Sequence, residues 1–203
     1  MEGRYDDRPG IAYFMARLTG ARLSMLFSAF AAEAYINRFL HNRLSGRDLK
    51  TALRIGPPAE KFAAGTRLAL GQTLFPRDED IYERLQTLFT LRNRLVHARR
   101  REIEPEEVLG ERAYEEFNPL AAYDHVEVVA RAAKRLLDAH DPPASALAPE
   151  QLLESLPLLR PIAENVTAAP TPSREQMLAE LSEARAAHPQ FFLSSESAAE
   201  PRS

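Results

Sequence analysis

Apolar residues recur at helical intervals along most of this 203-residue chain. The longest run passes from Ile11 through Phe14, Leu18, Met25, Phe30, Ile36 and Phe39 to Leu44. Asp7 is placed to cap it, Pro9 stands in its first turn, Gly20 is a point of kink or break, and Ser45-Gly46 ends it. A short helix is expected over 48–53, stopped by Gly56-Pro57-Pro58, and another over 59–70, stopped by Gly71. Ile81, Leu85, Leu88 and Leu95 follow at intervals of four, three and seven, behind Asp78, Glu79 and Asp80, whose carboxylates suit a helix N-terminus. Asn118-Pro119 then opens a helix to about residue 140, with Ala122, Val126, Val129, Ala133 and Leu136 on one face. No segment alternates as a strand would and no internal repeat is visible. The pattern predicts an all-α protein, an antiparallel bundle of about five helices over residues 1–140.

Beyond residue 140 the pattern changes, because nine of the 15 prolines fall in 141–203. Two helices fit there, over 149–159 and 173–188. The second opens with a capping box, Ser173-Arg174-Glu175-Gln176, and carries Met177, Leu178 and Leu181 on one side. The rest of this Pro-, Ala- and Ser-rich extension is expected to be mobile linker. Charge divides at the same place. The extension holds four Arg and nine Asp or Glu, a net of −5, and the first 140 residues a net of +2, so the overall −3 hides a weakly basic body. Phosphate binding needs only a local basic surface, and the balance permits it. With no cysteine, disulfides and thiolate metal sites are excluded. No apolar run reaches the roughly 18 residues of a membrane span, and the first residues do not read as a signal peptide. A cytoplasmic protein without membrane contact is expected.

One position breaks the apolar series. Arg92 stands four after Leu88 and three before Leu95, where the pattern asks for an aliphatic side chain. Arg is rarely buried without a partner. It opens Arg92-Asn93-Arg94-Leu95-Val96-His97, and Arg99, Arg100 and Arg101 follow. Arg suits bidentate phosphate binding and His suits proton transfer near neutral pH. Five residues apart on an ideal helix, roughly 140° after one full turn, the two side chains do not share a face. Asn93 and His97 do share one, and the Asn93 amide is suited to orient the imidazole. One copy of this helix therefore makes an incomplete site.

The Arg92-Asn93…His97 set near the end of a long helix resembles the R-N-x-x-x-H motif of the HEPN superfamily of helical-bundle ribonucleases. The segment Ala31-Ala32-Glu33-Ala34-Tyr35-Ile36-Asn37 is similar to the long first helix of that family, and the order long helix, Glu60-Lys61-Phe62 helix, motif helix also matches. The likeness covers residues 11–140. It implies a HEPN-like fold and a homodimer that brings two copies of Arg92 and His97 into one cleft. It also implies metal-independent cleavage of RNA through the 2′-hydroxyl, in a toxin, defence or stress role, with an antitoxin or regulator as a further partner. In the toxins controlled by a nucleotidyltransferase antitoxin a Tyr follows the motif His by two positions. Here Arg99 stands there, which speaks against that control.

The candidate catalytic residues are thus Arg92, His97 and Asn93, with Glu33, Asn37, Arg94, Arg99 and Arg100 as supporting or RNA-binding groups. Each has a plainer role. Arg92 would pair with a carboxylate such as Glu33 on a neighbouring helix, and His97 would complement a helix C-terminus. Glu33 and Asn37 would make a helix-packing hydrogen bond, and Arg99–Arg101 would be a solvated last turn. His41, His125, His140 and His188 lack zinc spacing. No phosphate-cradling Gly-rich loop, His-Glu-x-x-His or Gly-x-Ser-x-Gly occurs. Neither a metal nor a cofactor is expected. The competing function is a non-catalytic HEPN-like module for dimerisation or partner binding.

Overall fold

A computed structural model describes residues 11–96, 116–139 and 149–187, and every regular element among them is a helix. Among the described residues there are seven helices: α1 (Ile11–Arg43), α2 (Gly46–Leu53), α3 over 58–70, α4 (Asp80–Val96), α5 (Pro119–Asp138), α6 (Pro149–Ala168) and α7 (Arg174–Ala187). The all-α expectation holds. No described helix is long and apolar enough to cross a membrane. The expected cap and first-turn proline of α1, Asp7 and Pro9, lie outside the described residues.

The chain divides into two compact units, one of Met1–Arg17 with Ala169–Ser203 and a larger one of Leu18–Ala168. In the smaller unit Arg17 donates to the carbonyl of Ala169 (3.1 Å) and its guanidinium lies over the Tyr13 ring. The capping box forms as the sequence reads. Gln176 N–H donates to Ser173 Oγ, and Ser173 N–H donates to Gln176 Oε1. Met177 is buried and Leu178 about half exposed.

In the larger unit α1 buries Leu18, Ala21, Met25, Ala29, Ala32 and Ile36, a line stepping by three and four, and then Phe39 and Leu40, three and four after Ile36. Phe30, counted with this face from sequence, is 46% exposed. The seam instead runs through Ala29 and Ala32, small side chains that let neighbouring helices approach. Gly20 does not break the helix. At Gly65 an added Cβ would meet Leu40 Cδ2 at 3.2 Å, so a larger residue there would need the Leu40 side chain to give by a few tenths of an ångström.

Helix α3 is continuous but not uniform. It begins at Pro58–Glu60, widens into a π-turn over Lys61–Gly65, and closes as Thr66–Leu70, where Gly71 turns left-handed (φ +77°). Lys61, Phe62, Ala63 and Gly65 of the wide turn are buried. Thr66 Oγ1 donates to Phe62 O (2.6 Å) and accepts from Leu74 N–H (3.0 Å), fixing the turn to the following loop. Phe62 meets Phe75 edge-on, centroids 5.1 Å apart, and lies near Phe89 of α4.

Helix α4 buries Leu85 and Leu88 as expected, together with Tyr82, Phe89 and Leu91, while Ile81 and Leu95 are half-buried. Helix α5 starts where Asn118 Oδ1 accepts from Ala121 N–H (2.8 Å). It buries Ala122, Val129, Ala133 and Leu136, with Val126 only half-covered. Helix α6 runs past Pro157 and Pro161, both exposed, and packs along α5 through buried Leu156 and a Leu120 N–H to Thr167 Oγ1 bond. It therefore shares the core of the larger unit, although composition places it in the extension.

Candidate functional site

The apolar face of α4 brings Arg92 against α1, because Leu85, Leu88 and Arg92 occupy one line of the helix. Its side chain is 16% exposed. Nη2 donates to Glu33 Oε2 (2.7 Å) and Nη1 donates to Asn93 Oδ1 (2.8 Å). The guanidinium lies over the Phe30 ring at 5.7 Å, and Nε is buried with no hydrogen-bond partner. Glu33, predicted as a partner on a neighbouring helix, is that partner.

A second cation reaches the same carboxylate. The π-turn carries Lys61, whose side chain is 10% exposed, to 3.9 Å from Glu33 Oε1, and its Nζ donates to Asn37 Oδ1 at 3.4 Å. Glu33 and Asn37, one turn apart on α1, thus face two cations with one negative charge between them. Buried like charges are costly, and among the described residues the cluster carries an excess of one positive charge. Such an excess is relieved by an anion from solution. Among the described residues two of the five Arg92 N–H groups are committed, to Glu33 and Asn93, and Nε has no partner.

Of the expected site residues, the structure brings Glu33, Asn37, Arg92 and Asn93 together. Arg94 points elsewhere, pairing with Glu116 at 2.7 Å, and is 56% exposed. His97, Arg99 and Arg100 lie outside the described residues. Lys61, noted in the sequence only as part of a helix order, belongs to the cluster. Its signal was a lysine just before the apolar run Phe62-Ala63-Ala64, and it lies buried in the wide turn. Arg22 was not singled out at all. Its guanidinium lies over Phe117 at 5.2 Å, and burial lowers its pKa. It stands 11 residues, three full turns, before Glu33 on α1.

Among the described residues no group of three His, Asp or Glu side chains is placed to hold a metal ion. Compared with protein-family models, curated proteins and solved structures, the chain matches none.

Proposed function

We propose that this chain is a metal-independent endoribonuclease of HEPN type, an antiparallel bundle working as a homodimer in a toxin, defence or stress role. The observation that supports it best is the unbalanced cluster at the end of α4. Two nearly buried cations, Arg92 and Lys61, share one carboxylate, and the motif His97 follows the last residue of α4, Val96. In this reading Glu33 and Asn93 orient the Arg92 guanidinium, which binds the scissile phosphate and stabilises the phosphorane. His97 moves the proton of the 2′-hydroxyl or of the leaving 5′-oxygen, with the second copy supplying the complementary group. RNA is the substrate, and an antitoxin or regulator is a further partner.

A second reading has its own support. Arg92 is already paired with Glu33 and lies over Phe30, as a purely structural Arg would. On that basis the chain is a non-catalytic HEPN-like module for dimerisation or partner binding.

The two separate in one experiment. Single-stranded RNA is incubated with purified protein in excess EDTA and the product ends are identified. The ribonuclease leaves 2′,3′-cyclic phosphate or 3′-phosphate, and His97→Ala removes cleavage about 10²-fold or more with helicity unchanged. Intact RNA after incubation with a folded protein selects the module.

A further inference from the structure

Helix α1 has a second ordered face besides its core seam. Leu23, Phe27, Phe30, Ala34, Arg38 and His41 step by four, three, four, four and three residues, and all six are exposed. They form one stripe along about 27 Å of helix. Phe27 is 65% exposed and Phe30 46%, with Leu23 at 47% beside them. Exposed phenylalanines one turn apart are unusual on a surface with no ligand. The stripe holds one Arg, one His and no carboxylate. Glu33, beside it, is engaged by Arg92 and Lys61.

Chemistry narrows the occupant. Rings alone would suit any apolar partner, and cations alone any polyanion. Single-stranded nucleic acid needs both, aromatic faces for bases and cations for the backbone. Phe27 and Phe30 are separated by a rise of about 4.5 Å, somewhat more than the 3.4 Å per nucleotide of one strand. Arg92 lies over the Phe30 ring, so a nucleotide whose base contacts Phe30 has its phosphate beside the guanidinium. A second copy of the chain is the poorer occupant, since its stripe would be just as cationic.

We propose that this stripe of α1 is a track for single-stranded RNA, with bases stacked on Phe27 and Phe30 and the backbone held by Arg38 and Arg92. The proposal rests on RNA being the substrate. It adds that strand selection is made by α1 rather than by the motif helix.

The test is fluorescence anisotropy at low salt with labelled 2′-O-methyl oligo(A) of about 12 nucleotides, and with an abasic strand of the same length. Neither probe has a free 2′-hydroxyl, so binding is read without cleavage. The full-length protein should bind oligo(A) at least tenfold more tightly than the abasic strand. Phe27→Ala and Phe27→Leu should each weaken oligo(A) binding about five- to tenfold and leave the abasic strand unchanged. Arg38→Ala should weaken both strands alike and flatten their salt dependence. Phe27 is 65% exposed, so an unchanged melting curve is expected for its variants. Equal affinity of the protein for the two probes, or Phe27 variants that bind as wild type does, would overturn the track. So would a Phe27→Ala protein that changes from dimer to monomer in light scattering with its oligo(A) affinity intact, since the face then joins two copies. A track that binds as expected in a protein that cuts no ordinary RNA retires the ribonuclease and keeps the track. Cleavage indifferent to Phe27 does the reverse.

Discussion

Helix α4 carries a polar cluster near each end, and the two are built on opposite accounts of charge. Near its start, Glu60 accepts two bonds from the Arg77 guanidinium and a third from Tyr82 (3.0 Å). One carboxylate meets one cation, and Arg77 is 70% exposed. The Arg77 hydrogen bond holds the Glu60 carboxyl below the usual carboxylate range despite partial burial. Burial, then Glu60, pushes the Tyr82 phenol up. Near the end of α4, one carboxylate meets two cations that are both nearly buried, and Arg92 Nε has no partner. The first cluster closes a surface and asks for nothing more. Among the described residues the second is left with an excess of positive charge. Arg by itself thus does not distinguish the clusters; the imbalance around it does.

The two clusters share a support, and breaking it has the largest expected effect. Phe62 follows Glu60 of one cluster and Lys61 of the other, is fully buried, and packs on Phe75 and Phe89. Phe62→Ala should cost about 3–5 kcal/mol in denaturant unfolding, with both clusters loosened together. A loss near 1 kcal/mol would mean that the π-turn is not the joint between them.

Between the clusters, His125 of α5 is buried, and its Nδ1 has no hydrogen-bond partner. Burial, and secondarily the charge of Arg84, push it down to about 4 from 6.5. Above pH 6.5 the imidazole is neutral folded or unfolded, and its environment is fully tolerated. As pH falls from 6.5 towards 4 the unfolded chain takes a proton that the native state refuses, so stability is lost across that window. The loss should be about 2 kcal/mol, and His125→Gln should remove that part of the acid sensitivity. Parallel melting curves for both proteins from pH 7 to 4.5 would contradict it. The outcome also shows whether acid acts at the middle of α4 or at its ends.

Smaller effects separate the ends directly. A double-mutant cycle on Glu33 and Arg92 should give a coupling of about 1 kcal/mol or more that persists in salt, because both groups are largely covered. The Glu60–Arg77 cycle should give less and fade with salt, as exposed pairs do. Equal couplings would erase the distinction. Smallest of all, Lys61→Met should leave stability within about 1 kcal/mol, since replacing a buried charge by an apolar group of similar length is often neutral. It should nonetheless weaken RNA binding, because the excess charge is gone.

The fold was legible wherever one local rule decided the outcome. Asn118 caps α5, Ser173 and Gln176 form their reciprocal box, and Gly71 ends α3, all as spacing alone implies. The oddity of Arg92 in an apolar series pointed to a partner, and Glu33 on α1 is that partner. What spacing could not reveal depends on departures from ideal periodicity or on tertiary contact. Phe30 fits the apolar series, but Ala29 and Ala32 carry the seam and leave its ring outside. Lys61 is buried within a π-turn, and no residue pattern announces a π-turn. Helix α6 was expected to end near residue 159 but continues to Ala168, because packing on α5 outweighs two exposed prolines.

The most direct test of the imbalance compares two matched arginines on one substrate. Arg92→Ala and Arg77→Ala are assayed beside wild type for cleavage of single-stranded RNA in excess EDTA, with circular dichroism as the control for folding. If the unpaired charge at the end of α4 is the site, Arg92→Ala loses about 10²-fold or more in rate and Arg77→Ala stays within about twofold of wild type. Cleavage of equal strength in all three proteins, or an equal loss in both variants, would contradict it.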